Sequence, residues 1–345
     1  MAGHERASVA VLLCNYNDAR YLPDSLAAIC TQTVPPNELI IVDDGSTDHS
    51  LEVIKEYVGR YPFVRLIRHE RNRGLMASIN VALAAATADY IVWAAADDRL
   101  LAHFIERNIE ILSGHRGAGV SFSRLATFQD GTETVREYCE ETGMSPAFDL
   151  GAEPHFLTPQ ELNARLARSY LWMSGNTVLC RRDALLAAGG FRPELRWHTE
   201  WFVYWVVALR HGACVVPATL ALMRERPATY SRSGMLDPVQ QRQVLRALAA
   251  AIKDRQYGDV APTFRSRPAL LSPFGDLMLR VLVGDRKYWD LACRYLHWSL
   301  LHWRGLLLRR PRTCWSDSIR AKTTATLLPL AARFVGALTP NSWKD

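Results

Sequence analysis

A doubly wound α/β fold is predicted for this 345-residue chain by three observations. Short, evenly apolar runs alternate with helical patterns through about residue 124. The runs lack period-two alternation, as strands buried on both faces of a parallel sheet do. Asn, Asp and Gly cluster immediately after the runs, where such a sheet binds its ligands. Four strand–helix alternations in about 120 residues imply βαβ units and a largely parallel, right-handed sheet.

The elements follow in order. Residues 8–14 (SVAVLLC) read as a first buried strand, and Leu22, Leu26 and Ile29 set a helix over 21–31 that Pro35 and Pro36 end. Residues 38–43 (ELIIVD) are a second strand. The turn Asp44-Gly45-Ser46 follows, with Thr47 or Asp48 to cap a helix carrying Leu51, Ile54 and Val58. A strand over 64–68, a helix over 75–86 and a strand over 90–95 (YIVWAA) lead into Asp97-Asp98. A helix over 102–112 and a strand over 119–124 complete the repeat. Residues 129–159, rich in Gly, Pro, Glu and Thr, read as loop. Then come a helix near 159–169, a strand over 176–180, and a helix over 182–188 that Gly189-Gly190 ends. A buried helix over 201–209 and a strand over 215–223 follow, and the chain beyond Gln240 is mostly helical. The division expected is a catalytic domain over 7–235 and a helical region over 240–345.

Composition narrows the function classes. Apolar residues are 49% and charged residues 22%, which excludes global disorder. The net charge of +6 suits anionic ligands or an anionic membrane surface. No basic run is interleaved with stacking aromatics, so no nucleic-acid partner is expected. Seven cysteines, widely spaced and without a C-x-x-C pair, read as reduced thiols of a cytoplasmic protein. Residues 1–7 are short, polar and charged, unlike a secretory signal. The best membrane-span candidate, 324–338, is too short and carries Arg333.

Three strand ends deliver polar groups to one edge: Cys14-Asn15-Tyr16, Asp43-Asp44 and Asp97-Asp98. Adjacent carboxylates repel, and a hard dication relieves the repulsion. Asp97-Asp98 would hold Mg²⁺ or Mn²⁺ against a diphosphate, and the ion would neutralise charge on the leaving group. The alternative is that these aspartates only cap the next helix. Asp44 has the same two readings, as an acceptor for a base N–H or as a turn former.

The segments SVAVLLCNYND, LAAICTQTVPPNELIIVDDGSTD and RNRGLMASINVALAAATADYIVWAAADD together resemble the inverting family 2 glycosyltransferases of GT-A fold, closely over residues 8–125 and loosely to about 235. The resemblance implies that Tyr16 stacks on the nucleotide base and Asp44 bonds a uracil ring. It implies that Asp98 binds the metal with Asp97 near the ribose, and that Asn72, Gly74 and Asn80 belong to the donor site. Ala96 and Ile79 stand where many members have an acidic residue and an arginine. After Gly189-Gly190-Phe191, Glu200 matches the catalytic base, although only one carboxylate remains of the family's acidic pair. Arg226 replaces a histidine of a later segment and retains phosphate-binding capacity. Trp172 and Asn176 are candidates to line an acceptor pocket, with core packing an equal reading for Trp172. His198 is a competing base or a structural histidine.

The activity so implied is inverting transfer of a sugar, from a UDP-sugar by Asp44, to a glycan or lipid-linked oligosaccharide in bacterial surface polysaccharide synthesis. Two alternatives stay open. A nucleotidyltransferase would need a Gly-rich basic loop after the first strand, which residues 14–21 lack. A binding-only nucleotide or sugar module is the other. Residues 277–308, with Trp298, Trp303 and the following Arg309-Arg310-Pro311-Arg312, suit either a helix lying at the cytoplasmic face of the inner membrane or a packed helical subdomain.

Overall fold

The computed structural model describes residues 7–130, 135–137, 150–167, 173, 175–227 and 229–308. Trp172, Trp303, the arginines at 309–312, the segment 324–338, Cys139 and Cys314 lie outside the described side chains. The chain forms two compact units, residues 1–233 and 234–345.

The first unit is built on a ten-stranded sheet. Strands β1 (Val9–Asn15), β2 (Glu38–Asp43), β3 (Val64–Arg68) and β4 (Tyr90–Ala95) are parallel, in the order β3-β2-β1-β4. β5 (Arg99–Leu100), β6 (Val120–Phe128), β7 (Val135–Glu137), β8 (His155–Leu157), β9 (Val178–Arg181) and β10 (Ala213–Arg224) extend it. β9 runs antiparallel between β4 and β6, and β10 lies parallel to β6. Helices α1 (Leu22–Cys30), α2 (Ser50–Arg60), α3 (Leu75–Ala85) and α4 (Phe104–Gly114) connect the early strands. α5 (Pro159–Leu166), α6 (Arg182–Ala187) and α7 (Thr199–His211) follow, and α8 (Tyr230–Leu236) runs across the boundary at residues 233–234.

The apolar runs make strands because both sheet faces are covered. Val9, Val11, Leu13, Leu39, Ile41, Val92 and Ala94 share one core with Leu22, Leu26, Ile29, Ile54 and Phe104 from α1, α2 and α4. The alternate residues Ala10, Leu12, Ile40 and Val42 are fully buried too, and α3 packs on β1 and β2. Full burial of each such aliphatic side chain stabilises by roughly 1.5–3 kcal/mol.

Three local expectations are corrected. The segment 129–159 is not all loop, because β8 pairs antiparallel with β10 and β7 with β6. Asp97 and Asp98 do not cap a helix: β5 intervenes and His103 is the N-cap of α4. Thr47 does not cap α2, whose N-cap is His49; the Asp48 carboxylate accepts the Ser50 N–H at 3.0 Å.

The second unit is helical, with α9 (Pro238–Ile252), α10 (Ala261–Ser266), α11 (Gly275–Val283) and α12 (Trp289–Leu308). The expected long helix over 277–308 is interrupted at Gly284 and a short turn over 286–288. Its Met278, Leu279, Leu282, Leu291 and Tyr295 are buried, as in the packed-subdomain reading. No helix among the described residues is long and apolar enough to cross a membrane.

Candidate active site

Register places the site. Asn15 of β1 pairs with Asp43 of β2, and Cys14 with Ala95 of β4, so the three parallel strands end together. β9 is antiparallel to them, so the residues preceding it, Gly175 and Asn176, arrive at that same edge. β10 ends there as well, bringing Arg224 and Arg226.

The loop after β1 is locked to the Asp-Asp-Gly-Ser turn. Asn15 Nδ2 donates to Asp43 Oδ2 at 2.9 Å and to Ser46 Oγ at 3.0 Å. The Asn17 N–H donates to Ser46 Oγ, and Asn17 Oδ1 accepts the Thr47 N–H at 2.8 Å. Asn17 adopts φ +57°, which short polar side chains tolerate. Tyr16 is thereby held outward, 45% exposed, with a free face for stacking. Gly45 is required in the turn: its φ is +74°, and a Cβ there would lie 2.7 Å from the Arg71 carbonyl carbon.

Asp44 is buried and accepts from His69 Nδ1 at 2.7 Å, from the Arg73 N–H at 2.9 Å and from the Gly74 N–H at 2.8 Å. Burial alone would raise its carboxyl. The hydrogen bonds outweigh burial and hold it below the ordinary carboxylate range. Asn72 Oδ1 also accepts the Gly74 N–H, at 2.9 Å, so Asn72, Gly74 and Asp44 form one loop clasp. Asn80 donates to the Met76 and Phe191 carbonyls, both at 2.9 Å, and braces α3 against the Gly-Gly-Phe segment.

Asp98 Oδ2 accepts from Asn176 Nδ2 at 2.9 Å, and its Oδ1 accepts the Arg224 N–H at 2.9 Å. Burial, then repulsion from Asp97, pushes the Asp98 carboxyl well above the ordinary carboxylate range. Asp97 Oδ2 meets Arg226 Nη1 at 2.8 Å, and the same nitrogen meets Asp18 Oδ1 at 2.9 Å. The Arg226 guanidinium stacks 4.4 Å from the Tyr21 ring centroid. Arg224 is buried, donates from Nε to the Asp97 carbonyl at 2.8 Å, and ion-pairs with Asp24 and Asp130.

Glu200 occupies the first turn of α7, where the helix dipole favours a carboxylate. Its Oε1 accepts the Gly175 N–H at 3.2 Å. A Cβ on Gly175 would fall 2.2 Å from Glu200 Oε2, so glycine is what lets the carboxylate in. Burial pushes the Glu200 carboxyl up to about 7. Just upstream, Arg196 is held at φ +43°, ψ −121°. Arg196 and Asn17 are the two non-glycine residues of positive φ among the described residues, and both flank this edge. His198 is buried beside the Trp197 ring. Burial and then the nearby Asp44 carboxylate push the Cys14 thiol far above the ordinary range, which disfavours the thiolate a nucleophile needs.

Asp18, Asp24, Asp130 and His69 are site residues that sequence reading did not single out, and the partners of Gly175 and Arg224 were not foreseen. Asp18, just beyond the loop after β1, carried a local signal. The rest depend on pairings 25 or more residues apart.

A dication fits this chemistry. Asp98 is a hard oxygen donor disfavoured as an anion by burial and by its neighbour, and an adjacent cation removes that penalty. No cluster of three or more His, Cys, Asp or Glu could hold a metal among the described residues. An ion here would rest on Asp98 and Asp97 and draw its other ligands from diphosphate and water.

A mixed sheet with acidic residues gathered beyond its parallel strand ends defines a GT-A-type fold. The chain belongs to glycosyl transferase family 2, whose model matches residues 10–185, just over half its length. EpsE of Bacillus subtilis strain 168, provisionally named a glycosyltransferase, is 34% identical over 123 residues, which are 35% of this chain and 44% of EpsE. The chain thus spans under half the length of curated relatives such as EpsE. Among solved structures, Staphylococcus aureus TarS 1–349 in complex with UDP-GlcNAc superposes with a TM-score of 0.60 at 17% identity, covering 80% of each chain. The mannosyltransferase PcManGT of Pyrobaculum calidifontis, in complex with GDP-Man and Mn²⁺, gives 0.53 at 16% identity, covering 97% of this chain and 89% of that one.

Proposed function

We propose that the protein transfers a sugar, with inversion, from a nucleoside diphosphate sugar to a hydroxyl of a glycan or lipid-linked oligosaccharide. One observation carries the reading. Adjacent residues of a single turn tie the two halves of the reaction together: Gly175 holds Glu200, and Asn176 holds Asp98. A base and a leaving-group carboxylate are therefore fixed across one short span of backbone.

The acceptor oxygen attacks the anomeric carbon as the bond from that carbon to the diphosphate oxygen breaks. Glu200 takes the acceptor's proton, and the electron pair leaves with the nucleoside diphosphate. A carboxyl raised to about 7 is matched to that task near neutral pH. Tyr16 offers its exposed face to the base, and the Asp44 clasp shapes the loop beside it. Arg226 offers a guanidinium to the departing diphosphate from the same edge. A Mg²⁺ or Mn²⁺ ion held by Asp98 and Asp97 would supply Lewis-acid stabilisation of that leaving group. TarS binds UDP-GlcNAc and PcManGT binds GDP-Man, so both donor nucleotides merit testing, with uridine favoured by the position of Asp44.

The test is thermal-shift binding of UDP, GDP, dTDP and CDP with Mn²⁺, Mg²⁺ or EDTA, on wild type and Asp98→Ala. Stabilisation by one nucleotide with metal, lost in Asp98→Ala, supports the reading and names the donor nucleotide. No stabilisation by any pair refutes it. Release of nucleoside diphosphate from the matching sugar donor eliminates the binding-only alternative.

A further inference from the structure

We infer that the helical unit over 234–345 carries an anion site for a phosphate-bearing group, separate from the proposed sugar-transfer site. An open cavity of about 670 Å³ lies between α9 and the segment from the end of α11 to Tyr288. Arg242 and Arg246 come from α9, Arg280 from the end of α11, and Lys287 from the turn that follows. Asp285 is the one carboxylate in the lining.

The charges do not cancel locally. Asp285 pairs with Lys287 at 3.0 Å, and Arg280 is held by Asp276 at 3.2 Å. Arg242 and Arg246 have no carboxylate partner among the described residues. They stand one helical turn apart on one face, a like-charge spacing that destabilises an isolated helix. That repulsion faces one cavity, and a bound anion removes it.

The lining also sets the ligand's chemistry. Ala247, Ala250 and Gly284 are small, leaving room for a group larger than a single ion. Two guanidinium forks one turn apart can grip different oxygens of one tetrahedral phosphorus centre, or of two linked centres. A lone carboxylate would supply one charge to a lining with two uncompensated cations, Arg242 and Arg246. A phosphodiester or diphosphate fits best, whether carried on a lipid headgroup or on a soluble molecule.

The full chain is titrated calorimetrically with inorganic pyrophosphate in EDTA. The proteins are wild type, the double variant Arg242→Ala/Arg246→Ala, and the charge-matched double variant Arg255→Ala/Arg265→Ala. The expected result is binding by wild type, weakening of about tenfold or more in the first double variant, and no change in the charge-matched variant. Equal weakening in the charge-matched variant, or none in the Arg242/Arg246 variant, overturns the proposal. Co-sedimentation with phosphatidylcholine vesicles, with and without phosphatidylglycerol, then separates the sources. Sedimentation that needs both phosphatidylglycerol and the two arginines supports the proposal with a lipid headgroup as ligand. Pyrophosphate binding without sedimentation supports it with a soluble phosphate ligand.

Discussion

Replacing Glu200 by glutamine separates catalysis from stability, because the same burial that prepares the base destabilises the fold. The Glu200 carboxyl moves from its ordinary 4.5 to about 7 in the folded protein. At 1.36 kcal/mol per pH unit, its ionised form is disfavoured by about 3 kcal/mol. The sign follows from linkage. Below pH 4.5 both states carry the neutral acid and no penalty exists. Between 4.5 and 7 the unfolded chain loses its proton first, so stability falls as pH rises. Above 7 the full penalty applies. Glutamine escapes it and keeps an acceptor for the Gly175 N–H. Glu200→Gln is therefore expected to be more stable than wild type at pH 8, by up to about 3 kcal/mol, or roughly 6 °C in melting temperature. At pH 5 the advantage shrinks to about 1 kcal/mol. Sugar transfer should fall by about 10²–10⁴, the range of a lost general base, with nucleotide binding retained. Thermal melts at both pH values and a nucleoside-diphosphate release assay check both halves. A variant less stable than wild type at pH 8, or one with transfer within tenfold of wild type, would refute the assignment.

Four further outcomes are expected. The wild-type kcat/KM should rise with pH through about 7 as Glu200 ionises; a profile flat from pH 5.5 to 8 contradicts this. Gly175→Ala places a Cβ 2.2 Å from Glu200 Oε2 and should lower kcat by about a hundredfold, with nucleotide affinity within about twofold by calorimetry. Gly45→Ala should destabilise by at least about 2 kcal/mol in urea unfolding, since it combines a positive φ with a backbone clash. Arg226→Ala removes the cation between Asp97 and Asp18 and should weaken nucleoside diphosphate binding about tenfold; unchanged affinity would argue that Arg226 is only structural.

The sequence by itself determined the scaffold. Strands β2 and β4 fall where the apolar runs over 38–43 and 90–95 placed them, because burial on both faces admits little but aliphatic and aromatic side chains. It also placed Tyr16, Asp44 and Asp98 past strand ends, since parallel connections bring those ends to one edge. The tertiary structure decided how those residues are partnered. Arg224 reaches Asp98 across 126 residues, and Gly175 reaches Glu200 across 25, through the register of an antiparallel strand and a parallel one. Local sequence carries no record of register. The sequence likewise showed 277–308 as one apolar helical stretch, and packing broke it at Gly284 and buried much of its apolar face. Hydrophobic pattern is a local property of the chain, whereas the partner of a buried carboxylate is set by which strands lie side by side.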